Sequence, residues 1–516
     1  MTAKQSPRMP PSERLPLKPA RKPLRRWFSF SLRTFLIVVT LLSVVIGWKL
    51  DRVRRQREAV NWITNQHRFV VYDYGQFGRI SPSDPNGYPV PYGIAGWLSY
   101  QLGPDFFFDI KWLDIQGIDD GNIEKLVPLT ALEGLDLTSV NVTDLTPLKR
   151  MTAMKTLRLE ETNASNLAPI SNMRSLKMLV LNATPVTDLT PLESLTNLEH
   201  VNISQTRVAK IESLQKLSNL TTFKAAQTKL TDISPIQHNT SLELLDIDNT
   251  KVSEIQSLSK LNKLKTLKAS STKITELPSF ASESLLRHLE VNNTPLTQIN
   301  ALTNLKNLAH FSASSTQLSD LSPLARHQNL AYLELHQTKV SDLSPLRNAL
   351  KLQDLNLDDA LVADLTPLAK LTSLGNLNLR RNKVTDLSPL AKLQRLRSLT
   401  VDGCPLHNLL GVESLTSLSF LDAKNTQIED LSPLSKLKSL TSIDLQNTPV
   451  SDLTPLADLT RLASLDLRGT QVQDLSPLIN LKSRILLDET QTITIPESMA
   501  SRVYRGEWPQ YDLEEE

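Results

Sequence analysis

The chain has 516 residues, 40% of them apolar and 22% charged, a composition that can bury a core and excludes a wholly disordered polypeptide. Its formal net charge of +3 gives no general affinity for nucleic acid. Cys404 is the sole cysteine, which excludes an intramolecular disulfide and a cysteine-based metal cluster.

The first 33 residues hold nine Lys or Arg against one Glu, with six prolines from Pro7 to Pro23 among them. Residues 1–30 therefore read as a basic, Pro-rich disordered tail. Residues 34–48, TFLIVVTLLSVVIGW, are uncharged and bounded by Arg33 and Lys49. A helix of that length rises about 22 Å against a hydrocarbon core of roughly 30 Å, a deficit that snorkelling Arg and Lys and an interfacial Trp48 make up. No small-x-small cleavage site follows, so residues 31–50 are expected to form an uncleaved transmembrane signal anchor. The near flanks tie in charge, with Arg21, Lys22, Arg25, Arg26 and Arg33 before the segment and Lys49, Arg52, Arg54, Arg55 and Arg57 after it. Counting the whole short tail places the N-terminus in the cytoplasm and the long C-terminal part on the exocytoplasmic, periplasmic side.

The sequence DRVRRQREAVNWI extends the helix as an Arg-rich juxtamembrane segment over 51–68, with arginines suited to lipid headgroups. Residues 69–112 are expected to be an irregular connector and N-terminal cap, with SPSDPNGYPVP incompatible with helix, a short helix at 94–102, and then the strand-like FFFDIKWLDI.

From residue 113 the chain is governed by a period of 22 residues. In the pattern LxLxxTxVxDLxPLxxLxxLxx, the Asp position recurs at 144, 188, 232, 320, 342, 364, 386, 430, 452 and 474, and the intervening multiples hold Asn166, Lys210, Glu254, Glu276, Gln298 and Asn408. Sixteen units thus keep register without an insertion, and a period of 20–29 residues built on LxxLxL marks a leucine-rich repeat. Paired leucines such as Leu157 and Leu159 alternate with a polar residue and predict one short, buried strand per unit. The next column is Thr in twelve of sixteen units, a hydroxyl placed to satisfy buried backbone, with Val140, Ala360, Asn382 and Cys404 as its exceptions; Cys404 is accordingly a core element rather than a nucleophile. Ser or Thr followed by Pro, as in Ser388-Pro389, predicts a hydroxyl N-cap and a proline at the first position of a short outer helical turn. Eleven units carry that proline, and Ser213, Ser257, Ser279, Ala301 and Gly411 predict different outer turns in the others.

The expected fold is an α/β solenoid over residues 113–483, a leucine-rich-repeat horseshoe with one parallel sheet of about seventeen strands and short 3-10 or irregular outer turns, preceded by one transmembrane helix. From Arg484 the text RILLDETQTITI puts Arg484 and Glu489 at apolar sites, so residues 484–516 read as a C-terminal cap and acidic tail.

Units such as TKVSDLSPL, TPVSDLTPL and NKVTDLSPLAKLQRL resemble the 22-residue repeats of internalin-type bacterial proteins over about 380 residues. FSLRTFLIVVTLLSVVIGWKLDRVRRQREAV, VVYDY and WLSYQLGPDFFFDI resemble the leader of planctomycete single-pass membrane leucine-rich-repeat proteins. That resemblance implies a bacterial envelope protein; the chain differs from surface internalins in showing no C-terminal wall-sorting signal.

Strand residues pointing away from the core line the inner face, where columns 22 apart stack. One column holds His200, His288, His310, Tyr332 and Phe420, with His336 just beyond a neighbouring strand; two imidazoles on adjacent strands have the chemistry to hold a metal or sense pH, and no matching carboxylate set is evident. Asp422, Asp444 and Asp466 occupy another column with Lys424 and Arg468 beside them, a cation or basic-ligand site if the like charges are paired from outside. These nine residues are the candidate partner-binding set. No phosphate loop, nucleophile elbow, zinc spacing or kinase signature is present, and no clustered basic groove for nucleic acid, so neither catalysis nor a cofactor is expected. The expected function is a membrane-anchored scaffold of the cell envelope that recognises a protein or polysaccharide on its concave face; the alternative is a cytoplasm-facing regulator that wraps an enzyme or signalling protein.

Overall fold

A computed structural model describes residues 31–65, 69–72, 109–117 and 123–507. The Pro-rich tail, the irregular stretch with its expected short helix, and the acidic tail lie outside the described residues.

The first element is one uninterrupted helix, Leu32–Asn65, of 34 residues. Its N-terminal half is exposed all round, from Phe35 at 56% to Trp48 at 68%, as an apolar segment long enough to cross a bilayer requires. Its C-terminal half is different. Val53, Gln56, Ala59, Trp62 and Ile63 recur at helical spacing and are buried, and Ala59, Trp62 and Ile63 join the apolar core of the solenoid. The Arg52 guanidinium pairs with Asp109 at 2.6 Å, and the Lys125 ammonium sits 5.0 Å from the Trp62 ring centroid. The C-terminal half of the helix is therefore part of the solenoid's end, with only its other face exposed.

Strand Phe69–Tyr72 pairs antiparallel with Ile110–Asp114, and from there every strand is parallel to the last. Between Ile110–Asp114 and Ser464–Asp466 the pairings advance by 22 residues at each step, giving the expected seventeen strands in one open sheet. The sheet then continues where the sequence pattern breaks. Arg484 pairs with Ser464, 20 residues back, and Val503 with Ile485, 18 back, which adds two parallel strands and makes nineteen. The shorter spacing moves Ile485 and Leu487, rather than Arg484 and Glu489, into the core positions, so the expectation that residue 484 breaks the strand pattern is corrected.

Three devices recur along the turns. All twelve column threonines donate their hydroxyl to the carbonyl three residues back at 2.5–2.8 Å, from Thr162 on Leu159 to Thr470 on Leu467. Cys404 in the same column donates its thiol to Leu379 O at 3.0 Å, and burial pushes its pKa up to about 11, the opposite of an activated thiolate. The second device corrects the expected cap. Ser388 is already inside the 3-10 turn Ser388–Lys392, Leu387 occupies the cap position without a side-chain bond, and the Asp386 carboxylate accepts both the Ser388 N–H (2.8 Å) and hydroxyl (2.7 Å). All ten column aspartates accept the N–H two residues on at 2.7–2.8 Å, because a carboxylate outside the turn reaches the orphan donor that a hydroxyl within it cannot. These bonds hold carboxyls such as Asp188 below their ordinary pKa. Of the five units without Pro, only those with Ser279 and Gly411 lack a 3-10 turn between consecutive strands.

The third device has no constant residue type. Fourteen non-Gly residues spaced by 22 or its multiples, from Ser139 to Asn447, adopt φ of 53° to 59° just before the threonine column. Such a conformation costs on the order of 1 kcal/mol per residue, and it turns each N–H toward the next repeat, as in Gln227 N–H on Asp248 O at 2.7 Å.

Candidate partner-binding face

In a three-residue strand the middle side chain enters the core and the two flanking ones face the concave surface. This is the pattern at His288–Glu290, His310–Ser312 and Tyr332–Glu334, whose central Leu289, Phe311 and Leu333 are fully buried. Cα register pairs His288 with His310 and His310 with Tyr332. The His288 and His310 rings stack at 4.0 Å between centroids and 14° between planes, and Tyr332 extends the stack at 5.8 Å and 29°.

Glu290 joins this group. It lies two residues beyond His288 on the same face, hydrogen-bonds the His288 Nε2, and accepts from Lys268 Nζ at 3.2 Å. The His288 bond and Lys268 together hold its pKa down at about 2 despite burial. Burial, with His288 close by, pushes the His310 pKa below its ordinary value. Glu290 is thus the carboxylate that the column of imidazoles did not reveal; its spacing i, i+2 from His288 on one strand is the sequence signal that points to it.

The other candidates do not converge on this point. His200 is separated from His288 by three strands, about 19 Å at 4.8 Å per strand. His336 lies past the strand end, where its backbone N–H donates to Ser314 Oγ at 3.2 Å. Phe420 is four strand positions from Tyr332, and Asp354, Asn376 and Ser398 line a shallow trough beside Tyr332 in the intervening column. Tyr332 at 43% and Phe420 at 38% exposure are among the few large apolar side chains the repeats present to solvent.

Asp422, Asp444 and Asp466 stack on consecutive strands as expected. Their counter-charges come largely from the chain itself: Lys424 Nζ lies 3.1 Å from Asp422 and 3.7 Å from Asp444, while Arg468 grips Asp466 through Nη2 at 2.6 Å and Nε at 3.1 Å. Asp422, Asp444 and Asp466 also accept the backbone N–H two residues on, which gives the column a structural use. Burial and its two like neighbours raise the Asp444 pKa.

A further acidic position was not apparent from the sequence. Asp248 beside Lys268 is pushed up to about 6, chiefly by burial, with Asp246 and Glu290 adding to the rise and the Ser270 N–H at 2.6 Å opposing it. A carboxyl raised in the folded state favours folding when protonated, so its contribution is fully present below 3.8 and is lost as pH rises through about 6. Asp248→Asn, which stays neutral and keeps the Ser270 acceptor, is expected to raise the melting temperature relative to wild type more at pH 7 than at pH 4; equal shifts at both would contradict the assignment.

Residues 416–458 match the family described as Leucine Rich repeats (2 copies). No curated protein matches the chain by sequence. Among solved structures, a leucine-rich-repeat protein of Leptospira interrogans is similar with 20% identity and a TM-score of 0.64, over 71% of this chain and 99% of that one. The functional domain of InlJ from Listeria monocytogenes has 20% identity and a TM-score of 0.54, over 69% and 73%. A plant peptide hormone receptor, RGFR1 in complex with RGF2, has 16% identity and a TM-score of 0.59, over 77% of each chain. These likenesses establish the leucine-rich-repeat fold.

Proposed function

We propose that the chain is a non-catalytic, membrane-anchored binding scaffold of a bacterial cell envelope, recognising a protein partner on the concave face between His288 and Phe420. The carrying observation is the contiguous His288, His310 and Tyr332 stack, which abuts a polar trough flanked at its far side by Phe420. Exposed aromatic rings over hydrogen-bonding side chains are the composition of binding hot spots. The same row of Asp354, Asn376 and Ser398 between two rings also suits a polysaccharide, the second ligand class. The exposed apolar half of helix Leu32–Asn65 supports anchoring by residues 34–48, the tail's charge excess supports a cytoplasmic N-terminus with exocytoplasmic repeats, and the leader motifs support a planctomycete-type origin.

Affinity capture from native membranes with the wild type and with Tyr332→Ala/Phe420→Ala tests the face. Each ring is expected to contribute about 2 kcal/mol, roughly 30-fold in affinity; a double variant that retains every partner of the wild type rules the site out. A C-terminal alkaline phosphatase fusion is expected to be active, and inactivity there would favour the cytoplasm-facing regulator.

A further inference from the structure

We propose that His288, Glu290 and His310 form a binding site for one divalent transition-metal ion of the zinc class, set within the concave face assigned above to a partner. The ligand atoms of the three side chains all lie within 4.8 Å of one another, and they project from two strands whose backbones are fixed by the parallel ladder. Coordination at 2.0–2.2 Å brings neighbouring donors to about 3.4 Å in a tetrahedron, so side-chain rotation alone closes the set. The two rings must open from their stack into a V, and both are only half-buried at the concave surface. Two imidazole nitrogens and one carboxylate oxygen suit zinc, cobalt or nickel, whereas calcium and magnesium favour all-oxygen sites.

An imidazole ligates through an unprotonated nitrogen, and stacking at 4.0 Å between centroids disfavours charge on both rings at once. The surroundings are rich in negative charge: Asp246, Asp248 and Glu290 gather around Lys268, and Glu334 faces His310 from the adjoining strand. A divalent ion relieves that crowding, and Lys268, with a 37% exposed side chain, has room to swing out as the ion takes its place on Glu290. Three protein ligands leave a coordination position open to the concave groove, the arrangement of a site that takes water or an incoming donor rather than of a closed structural one.

Calorimetric titration of zinc chloride into the full-length, untagged, detergent-solubilised protein, first stripped with chelator, is the test. One ion per chain with micromolar affinity is expected. His288→Ala and His310→Ala should each weaken binding at least about tenfold, and Glu290→Gln about tenfold. His238→Ala, exposed on the outer turn Ser234–His238, should leave it unchanged. Cobalt(II) should give a visible absorption band that His310→Ala abolishes, a signature that a loss of fold would not mimic when the variant's melting curve matches wild type. No stoichiometric zinc, or a His288→Ala/His310→Ala double variant binding as the wild type does, overturns the proposal.

Discussion

Replacing Asn382 by Ala is expected to cost about 3–5 kcal/mol and to divide the solenoid's unfolding into two stages. Asn382 is the one amide in the threonine column. Its Nδ2 donates to Leu357 O at 2.7 Å and Leu379 O at 3.1 Å, while its Oδ1 accepts the Val362 N–H at 2.9 Å, so a single buried side chain clamps two successive turns. Alanine leaves these backbone groups without their side-chain partner in a site only 4% exposed. In a repeat array each unit is held mainly by its neighbours, so a lesion at one junction uncouples the two sides rather than loosening the whole. Urea denaturation should show a second transition, with hydrogen exchange accelerated first around residues 354–404. Asn382→Thr, which restores the hydroxyl found in most units, should recover part of the loss. A single transition for the alanine variant with unchanged midpoint would refute the clamp.

Ile63→Asp is expected to release the helix from the solenoid at a cost of about 4 kcal/mol or more, since it removes a fully buried side chain and places an unpaired carboxylate in the apolar core at the end where the helix packs on the turn Ile123–Leu126. The loss is local. The terminal turns should fray, seen as protease cleavage following Asn65 and near residue 123, while the melting of the repeats beyond changes little. Asn61→Asp supplies the same charge on the exposed side of the helix and should behave as wild type. If both variants resist protease equally, the helix is not docked through this face.

The regular middle of the solenoid was legible because its period is enforced by burial: every unit must return two apolar side chains to one sheet, and a displacement by one residue would invert them. The threonine column was legible for the same reason, since a hydroxyl among leucines needs a partner. Where physical demand is met by geometry rather than residue type, the sequence is silent. The left-handed residues include Glu161, Ala183, Gln205 and Arg381, chemically unrelated and united only by φ. The two last strands escaped because spacing fell to 20 and then 18. Val53, Gln56, Ala59, Trp62 and Ile63 form a readable helical stripe, but the arginines between them suit lipid headgroups equally well and mask it. At the candidate face, columns identified His288, His310 and Tyr332, while distinguishing them from His200 required counting strands, and recognising the Asp422 column as self-neutralised required seeing Lys424 and Arg468 fold back onto it.

The two ends of the sheet carry a consequence for assembly. A stack of parallel strands with the same step throughout has a leading edge that fits its own trailing edge, and such a surface joins copies head to tail into filaments without limit. At the first edge of the sheet formed by the described residues the strand Phe69–Tyr72 runs antiparallel, so the hydrogen-bond pattern there no longer matches the one a parallel newcomer needs. At the last edge the shortened turn ends in Val503–Arg505, where Arg505 folds its guanidinium onto the carbonyls of Asp488 and Gln491 at 2.9 Å. Reversed direction at one end and a cationic, foreshortened turn at the other make the two edges mutually incompatible, and they keep a polymer-like architecture a molecule of finite length.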